Sequence, residues 1–302
     1  MYIIDFAKNL FKKSNIGTII WMVANTLLIT LMFGFVINDS GSDISWKGCL
    51  IGFGIYMLSI VLALSPVGEW IIRFQNGCQS ITDQQILDRI MPLFNEVHAQ
   101  AKAKNPELDR DIKLYIVDDN SPNAFACGRK TMAITRGLLA MSDAEIKGIL
   151  GHEFGHLAHK DTDTILVITV GNLIVSVIFF IIRIIFKIFS GILSFVVAVA
   201  SESFIVGVLT AISNFIANVM LATLMALWTK LGIVICRASS RGNEYEADKY
   251  SHDIGYGRNL AYALNHLDNM AGGSSKTKGL WAVLSSSHPE TSKRVERLNQ
   301  LG

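Results

Sequence analysis

Residues Ser142 to His156 read Ser-Asp-Ala-Glu-Ile-Lys-Gly-Ile-Leu-Gly-His-Glu-Phe-Gly-His. The opening Ser142-Asp143-Ala144-Glu145 has the form of a capping box, which predicts a helix start. Ile146, Ile149, Leu150, Phe154 and Leu157 then give that helix an apolar stripe. On it, His152 and His156 stand one turn apart on one face, where two imidazoles can bind one Zn²⁺. Glu153, between them, can take a proton from a water held there. The alternative is a pair of helical histidines that cap or fill a core. A chance match to H-E-x-x-H arises about once in a hundred chains of this length and composition, and the helical setting favours the metal site. Gly148, Gly151 and Gly155 weaken helix propensity and predict that this helix packs tightly against a neighbour.

The surroundings are apolar. Of 302 residues, 51% are hydrophobic and only 17% charged, and the mean hydropathy is +0.39. That points to membrane spans rather than an ordinary soluble domain. A net charge of +2, with no basic run, argues against nucleic acid as a partner. The four cysteines, Cys49, Cys78, Cys127 and Cys236, form no C-x-x-C pair, which argues against a cysteine metal site or a disulfide framework. Residues 17–37, 48–68, 164–182 and 203–229 lack charge, and each is long enough to cross a bilayer. The first lacks a small-residue cleavage site and is soon followed by the second, so it reads as an anchor rather than a removed signal. Residues 192–200 are apolar but short; they extend the third span or lie at the interface as a hairpin.

The chain thus divides into an N-terminal membrane hairpin, 1–72, with spans at about 17–37 and 48–68, and a first peptidase part, 73–163, carrying the motif helix. A second membrane hairpin follows at 164–236, with spans at about 164–186 and 203–236, and a second peptidase part, 237–302, holds a candidate third ligand. Metal ligands on both sides of the second hairpin require an even number of crossings between them. Lys8, Lys12 and Lys13 before the first span, against Asp39, Asp43 and Lys47 after it, favour both termini and the peptidase part on the cytoplasmic side of the cell (inner) membrane. Arg73, Lys230, Arg237 and Arg241 agree; Arg183 and Lys187 run against it.

In the first polar part, Ser80 or Thr82 caps a helix over about 83–104. Ile86, Ile90, Leu93, Phe94 and Val97 form its apolar face, Pro92 kinks it, and His98 falls outside the stripe as a solvated residue. Residues 112–117 alternate like a strand, 118–122 form a turn, and 123–127 and 131–135 are two further strands joined across Gly128-Arg129-Lys130. Strands followed by the motif helix make an α+β arrangement.

Catalytic zinc needs a third protein ligand, leaving one position for water. A third histidine six residues beyond His156 would mark another architecture, but that position is Thr162. His159 lies two turns from His152, too far for three imidazoles to converge readily, and reads as a helix-end residue. Downstream, Glu244 and Asp248 lie one turn apart on a helix that begins just after a span. Spacing alone leaves two readings there: Glu244 on zinc with Asp248 orienting a ligand histidine, or a solvated acidic face.

Four blocks in order resemble the HtpX family of membrane zinc endopeptidases, relatives of the CAAX prenyl protease. They are Asn123-Ala124-Phe125-Ala126-Cys127-Gly128; Gly151 through His156 with Asp161; Ser240-Arg241 through Glu244-Tyr245-Glu246-Ala247-Asp248; and His288-Pro289-Glu290-Thr291 with Arg294, Val295 and Leu298. The layout of two membrane hairpins is similar too. Asn243 and His159 depart from residues common in that family. The resemblance implies a zincin-like (gluzincin) α+β peptidase domain combined with about four transmembrane helices. It implies one Zn²⁺ per chain on His152, His156 and Glu244, with Asp248, Asp161 and Arg294 behind the ligands.

The same resemblance implies Glu153 as general base and His288 as the group facing the tetrahedral oxyanion; Tyr245 and Tyr250 are weaker candidates for the latter. The strand Asn123, Ala124, Phe125, Ala126 can take an extended substrate along its edge. Substrates would be proteins, above all misfolded membrane proteins. Competing readings are a processing peptidase with one substrate class, a membrane scaffold with a relic site, and a transporter using Glu202, Asn214 and Asn218.

Overall fold

The computed structural model describes residues 2–37, 44–200, 204–271 and 291–301. Ten helices are described: α1 Tyr2–Leu10, α2 Ile16–Val36, α3 Trp46–Ala63, α4 Pro66–Gln75, α5 Gln84–Lys104, α6 Asp143–His159, α7 Thr162–Ala200, α8 Phe204–Asp253, α9 Gly257–Ala271 and α10 Thr291–Leu301. Four strands are described: β1 Gln79–Ser80, β2 Lys113–Val117, β3 Ala124–Cys127 and β4 Thr131–Thr135. The sheet order is β1-β2-β4-β3, with β2 and β4 parallel and the other neighbours antiparallel.

Four described helices are long and apolar enough to cross a membrane: Ile16–Val36, Trp46–Ala63, Thr162–Leu193 within α7, and Ile205–Gly232 within α8. Of the two readings left open for residues 192–200, the structure takes the first, since α7 continues unbroken to Ala200. Its 39 residues span about 58 Å at 1.5 Å per residue, and the 50 residues of α8 about 75 Å. The helix that forms the last span therefore carries on into the polar part of the molecule, taking Glu244 and Asp248 with it. In the membrane, Trp228 Nε1 donates to Asn25 Oδ1 at 2.9 Å and Arg183 Nε to Asn218 Oδ1 at 3.0 Å. Asn218 thus serves as a packing contact between α7 and α8.

β3 and β4 are buried on both faces, which is why they read as largely apolar runs. Ala124, Ala126, Met132 and Ile134 join the main core with α5, α6 and α9. Phe125, Cys127 and Ala133 point the other way, onto Ala63, Ile72, Leu166 and Val170 at the membrane ends of α3, α4 and α7. The sheet therefore lies between the motif helix and the membrane helices.

Two local expectations are corrected. The cap of α5 is Asp83, whose Oδ1 accepts from Gln85 N at 2.9 Å and Ile86 N at 3.4 Å, rather than Ser80 or Thr82. His98 is not a solvated side chain. Its ring stacks parallel on Phe154 at 5.2 Å, and its Nε2 lies 3.0 Å from the Asp109 carbonyl. Phe94, one turn earlier, packs on the same ring at 5.4 Å, so α5 meets α6 over a wider face than its aliphatic stripe.

Gly148, Gly151 and Gly155 explain how α6 approaches its neighbours. A Cβ at Gly148 would come within 2.4 Å of Leu260 N, and one at Gly155 within 2.8 Å of Ala247 Cα. Backbone cannot yield as a flexible side chain can. Gly155→Val is expected to destabilise the fold by about 1–3 kcal/mol or more through overpacking, read as a lower midpoint of thermal unfolding. An unchanged midpoint would show that α6 and α8 do not pack this closely.

Candidate metal centre

The motif helix starts as its sequence predicts. Ser142 Oγ accepts from Glu145 N at 3.3 Å, and Glu145 Oε2 accepts from Ser142 N at 2.9 Å, a complete capping box. The helix ends at His159, where Lys160 takes a left-handed conformation with φ 60°. Between these ends His152 and His156 project from one face with rings at 89° and Nε2 atoms 3.1 Å apart. Glu244 comes to them from α8. Its Oε2 lies 3.5 Å from His152 Nε2 and its Oε1 3.6 Å from His156 Nε2. These three residues offer ligand atoms all within 4.8 Å of one another.

The chemistry of this donor set fits a metal ion. Three electron-pair donors face one another in a buried space, which is unfavourable unless a proton or a cation lies between them. The opposite edge of each imidazole is turned to a carboxylate. His152 Nδ1 lies 2.9 Å from Asp248 Oδ1, and His156 Nδ1 lies 3.5 Å from Asp161 Oδ2. Both atoms of the second pair are buried with no hydrogen-bond partner. Carboxylates on the Nδ1 side hold the proton there and leave each Nε2 lone pair for a metal, the arrangement in which outer partners orient ligand histidines.

Arg294 ties the set together from α10. Its Nε and one terminal nitrogen donate to the two oxygens of Asp248 at 2.8 and 2.6 Å, and its other terminal nitrogen lies 3.7 Å from Glu244 Oε2. Burial opposes charge on Asp248, but bonds from Arg294 and His152 outweigh it and hold this carboxyl well below the usual range. Burial likewise pushes His152 down; Asp248 and then Glu244 reverse that, raising the metal-free imidazole to about 9. His156 is raised by Asp161 against the same burial.

Glu153 reaches the sheet from α6. Its Oε2 accepts from Ala126 N at 2.8 Å. That places Ala126, and with it β3, beside the carboxylate. β3 is an end strand of the sheet; Thr135 N donates to Asn123 O, so β4 engages Asn123. In an antiparallel pair the amide and carbonyl directions alternate, which turns those of Ala124 and Ala126 to the side where Glu153 stands. The strand is covered in this structure, with Ala124, Phe125 and Ala126 all buried.

His288 lies outside the described residues, as does Glu202. Of the two tyrosines, Tyr250 donates its hydroxyl to the Ala101 carbonyl at 2.9 Å, while Arg297 lies 4.0 Å over the face of the Tyr245 ring. His159 meets the edge of Tyr250 at 5.7 Å rather than joining the ligand group. Sequence reasoning missed that Ala126 is bonded to Glu153; a residue whose only functional atom is its amide carries no signal in its side chain.

The sequence of residues 88–301 matches the family model described as Peptidase family M48. A protease HtpX homolog of Bacillus velezensis is 27% identical over 288 residues, covering 90% of this chain and 85% of that protein. A protease HtpX homolog of Burkholderia mallei is 25% identical over 320 residues, covering 94% and 95%. Among solved structures, the crystal structure of S. mikatae Ste24p is similar with a TM-score of 0.45 and 19% identity, covering 94% of this chain and 64% of that one.

Proposed function

Because this chain belongs to peptidase family M48, a family of metallopeptidases, we propose that it is a membrane-anchored zinc endopeptidase that hydrolyses peptide bonds in misfolded membrane proteins. The observation that carries this reading is the convergence of His152, His156 and Glu244, with Glu153 beside the end strand. A zinc ion bound there would polarise the scissile carbonyl and acidify water.

The chain's own residues supply the rest. Glu153 accepts the water proton and later returns it to the leaving amine. Asp248, held by Arg294, keeps the His152 proton on Nδ1; Asp161 does the same for His156. The outward amide and carbonyl of Ala124 and the outward carbonyl of Ala126 hold an extended substrate through main-chain bonds, a way of binding that tolerates many sequences, while the Ala126 amide stays on Glu153. His288 faces the oxyanion. In this reading the peptidase unit is assembled from 73–163 and 237–302 around the hairpin 164–236, beside the hairpin 1–72. It stands on the cytoplasmic side of the cell membrane.

The test is cleavage of several unrelated unfolded membrane proteins by the purified chain, before and after chelation. Loss of cleavage on chelation and its return with zinc are expected. No cleavage by zinc-loaded protein would overturn the peptidase reading, and cleavage at one motif only would replace broad quality control with dedicated processing.

Metal uptake carries its own pH signature. Below about 9 the metal-free His152 holds its extra proton, and zinc requires the neutral imidazole. Binding therefore releases a proton, and apparent affinity falls about tenfold per unit as pH drops below that point. Affinity measured against a competing chelator across this range checks it; a pH-independent affinity there would show that Asp248 and Glu244 do not raise the metal-free imidazole in this way.

A further inference from the structure

The turn between β3 and β4 is held by carboxylates from three membrane-proximal helices. Asp5 of α1 accepts from the Arg129 guanidinium at 2.7 Å. Asp163, at the start of α7 and 1% exposed, accepts from the same group at 2.8 Å. Glu69 of α4 accepts from the Arg129 amide at 2.9 Å and from Thr131 Oγ1 at 3.0 Å. Gly128, with φ +59°, leaves no room for a Cβ, which would sit 2.2 Å from the Glu69 side chain. Lys160, which caps the motif helix, also reaches Asp5 at 3.4 Å. Arg129 foremost, with Lys160, holds the Asp5 carboxyl down at about 2, so this grip stays charged at neutral pH.

Of the three gripping helices, α1 and α4 carry exposed apolar side chains on their outer faces. On α4, Val67, Trp70 and Phe74 form one stripe at helical spacing, with Trp70 56% and Phe74 74% exposed, while Gly68, Glu69 and Ile72 face the sheet. On α1, Ile3 and Ile4 face outward, followed by Phe11 at 80% exposure, while Phe6 is buried inward. Lys8 lies on the exposed side. Each helix is thus amphipathic in the way of segments that lie in a membrane interface.

What covers these stripes follows from what they continue. α3 ends at Ala63 and α4 begins at Pro66. The exposed Leu58, Val61 and Leu62 of the span run on into Val67 and Trp70. Phe11 runs on into the exposed Ile16 and Ile20 of α2 in the same way. The span faces are in lipid, so their continuations meet the boundary of the same lipid. Trp70, stacked on Phe74 at 5.7 Å, suits that depth, where amphipathic rings concentrate.

We propose that α1 and α4 lie flat in the headgroup region of the bilayer and seat the β3–β4 turn there through Asp5 and Glu69. The strand beside Glu153 is then fixed in height above the lipid, and a substrate pulled from the membrane meets it at a set distance. The surface recognises a lipid interface through its apolar stripes.

The test uses the full chain, labelled with 5-fluorotryptophan, in lipid nanodiscs. The fluorine resonance missing from a Trp70→Phe sample belongs to Trp70. A nitroxide carried on lipid near the glycerol level should broaden it, and a water-soluble gadolinium chelate should not. Stronger broadening by the soluble chelate would overturn the proposal; so would shielding that appears only as protein is crowded at fixed lipid, which would make a second copy the occupant. For the seat, Asp5→Asn with Glu69→Gln should speed amide exchange at residues 129–131 by about tenfold or more while the spans keep their protection. Should the double variant unfold, Asp5→Asn alone carries the same expectation. Unchanged exchange would show that the turn is not held this way. Neither readout depends on peptidase activity, so the proposal fails or survives separately from the proposed function.

Discussion

Glu153→Gln should all but abolish peptide-bond cleavage while leaving fold and metal content as they are. Glutamine keeps the size and shape of the side chain and an oxygen to accept from Ala126 N, the bond Glu153 Oε2 now makes at 2.8 Å. Held that way, the amide places its NH₂ where the other carboxylate oxygen stood, and an NH₂ group donates but takes up no proton. General acid–base catalysis contributes about 10²–10⁴-fold to such reactions, so kcat should fall by that factor. The substitution touches none of the three converging ligand atoms, so zinc bound per chain, read by elemental analysis, should not change. Two results would be informative against it. Retained cleavage would remove Glu153 as the base. Loss of zinc together with activity would mean that the carboxylate helps hold the metal or the helix.

The residues that make Glu153 interpretable differ in how visible they were before the structure. The motif helix is legible because its determinants are local: the Ser142–Glu145 box, the stripe through Phe154 and Leu157, and the glycines that let α8 and α9 close on it all lie within a few turns. Membrane spans are legible for the same reason, as hydrophobic length needs no partner. Glu244 is different. A whole membrane hairpin separates it from His156, and an acidic pair on a helix looks the same whether it binds metal or water; only the resemblance across the Glu244 to Asp248 block favoured the first. His98 was misjudged because an apolar stripe reports which face of a helix is aliphatic, and says nothing of a ring that stacks on Phe154. The Asp5, Glu69, Asp163 and Arg129 cluster was invisible. Each of these charges reads as a solvated surface group until folding brings together positions 34 to 124 residues apart.

Glu244→Ala should strip the chain of its metal, and with it all activity, under conditions where the fold persists. The carboxylate is the sole acidic member of the converging set and spans both imidazoles, at 3.5 and 3.6 Å. Losing an outer partner of a ligand typically costs about 10–100-fold in metal affinity, and losing the ligand itself should exceed that. The fold should survive because the buried Arg294 retains both bonds to Asp248, at 2.8 and 2.6 Å, and its approach to Glu244 is the longer one, at 3.7 Å. Asp248→Asn is the graded companion. It keeps a side-chain oxygen near His152 Nδ1 but removes the charge that raises the imidazole, so zinc should bind more weakly by about the outer-partner factor without being lost. Glu246→Ala, two positions along and exposed, should change neither quantity. Full zinc content in Glu244→Ala would refute the ligand assignment. Equal loss in Glu246→Ala would show that net charge on α8, rather than coordination by one carboxylate, governs the metal.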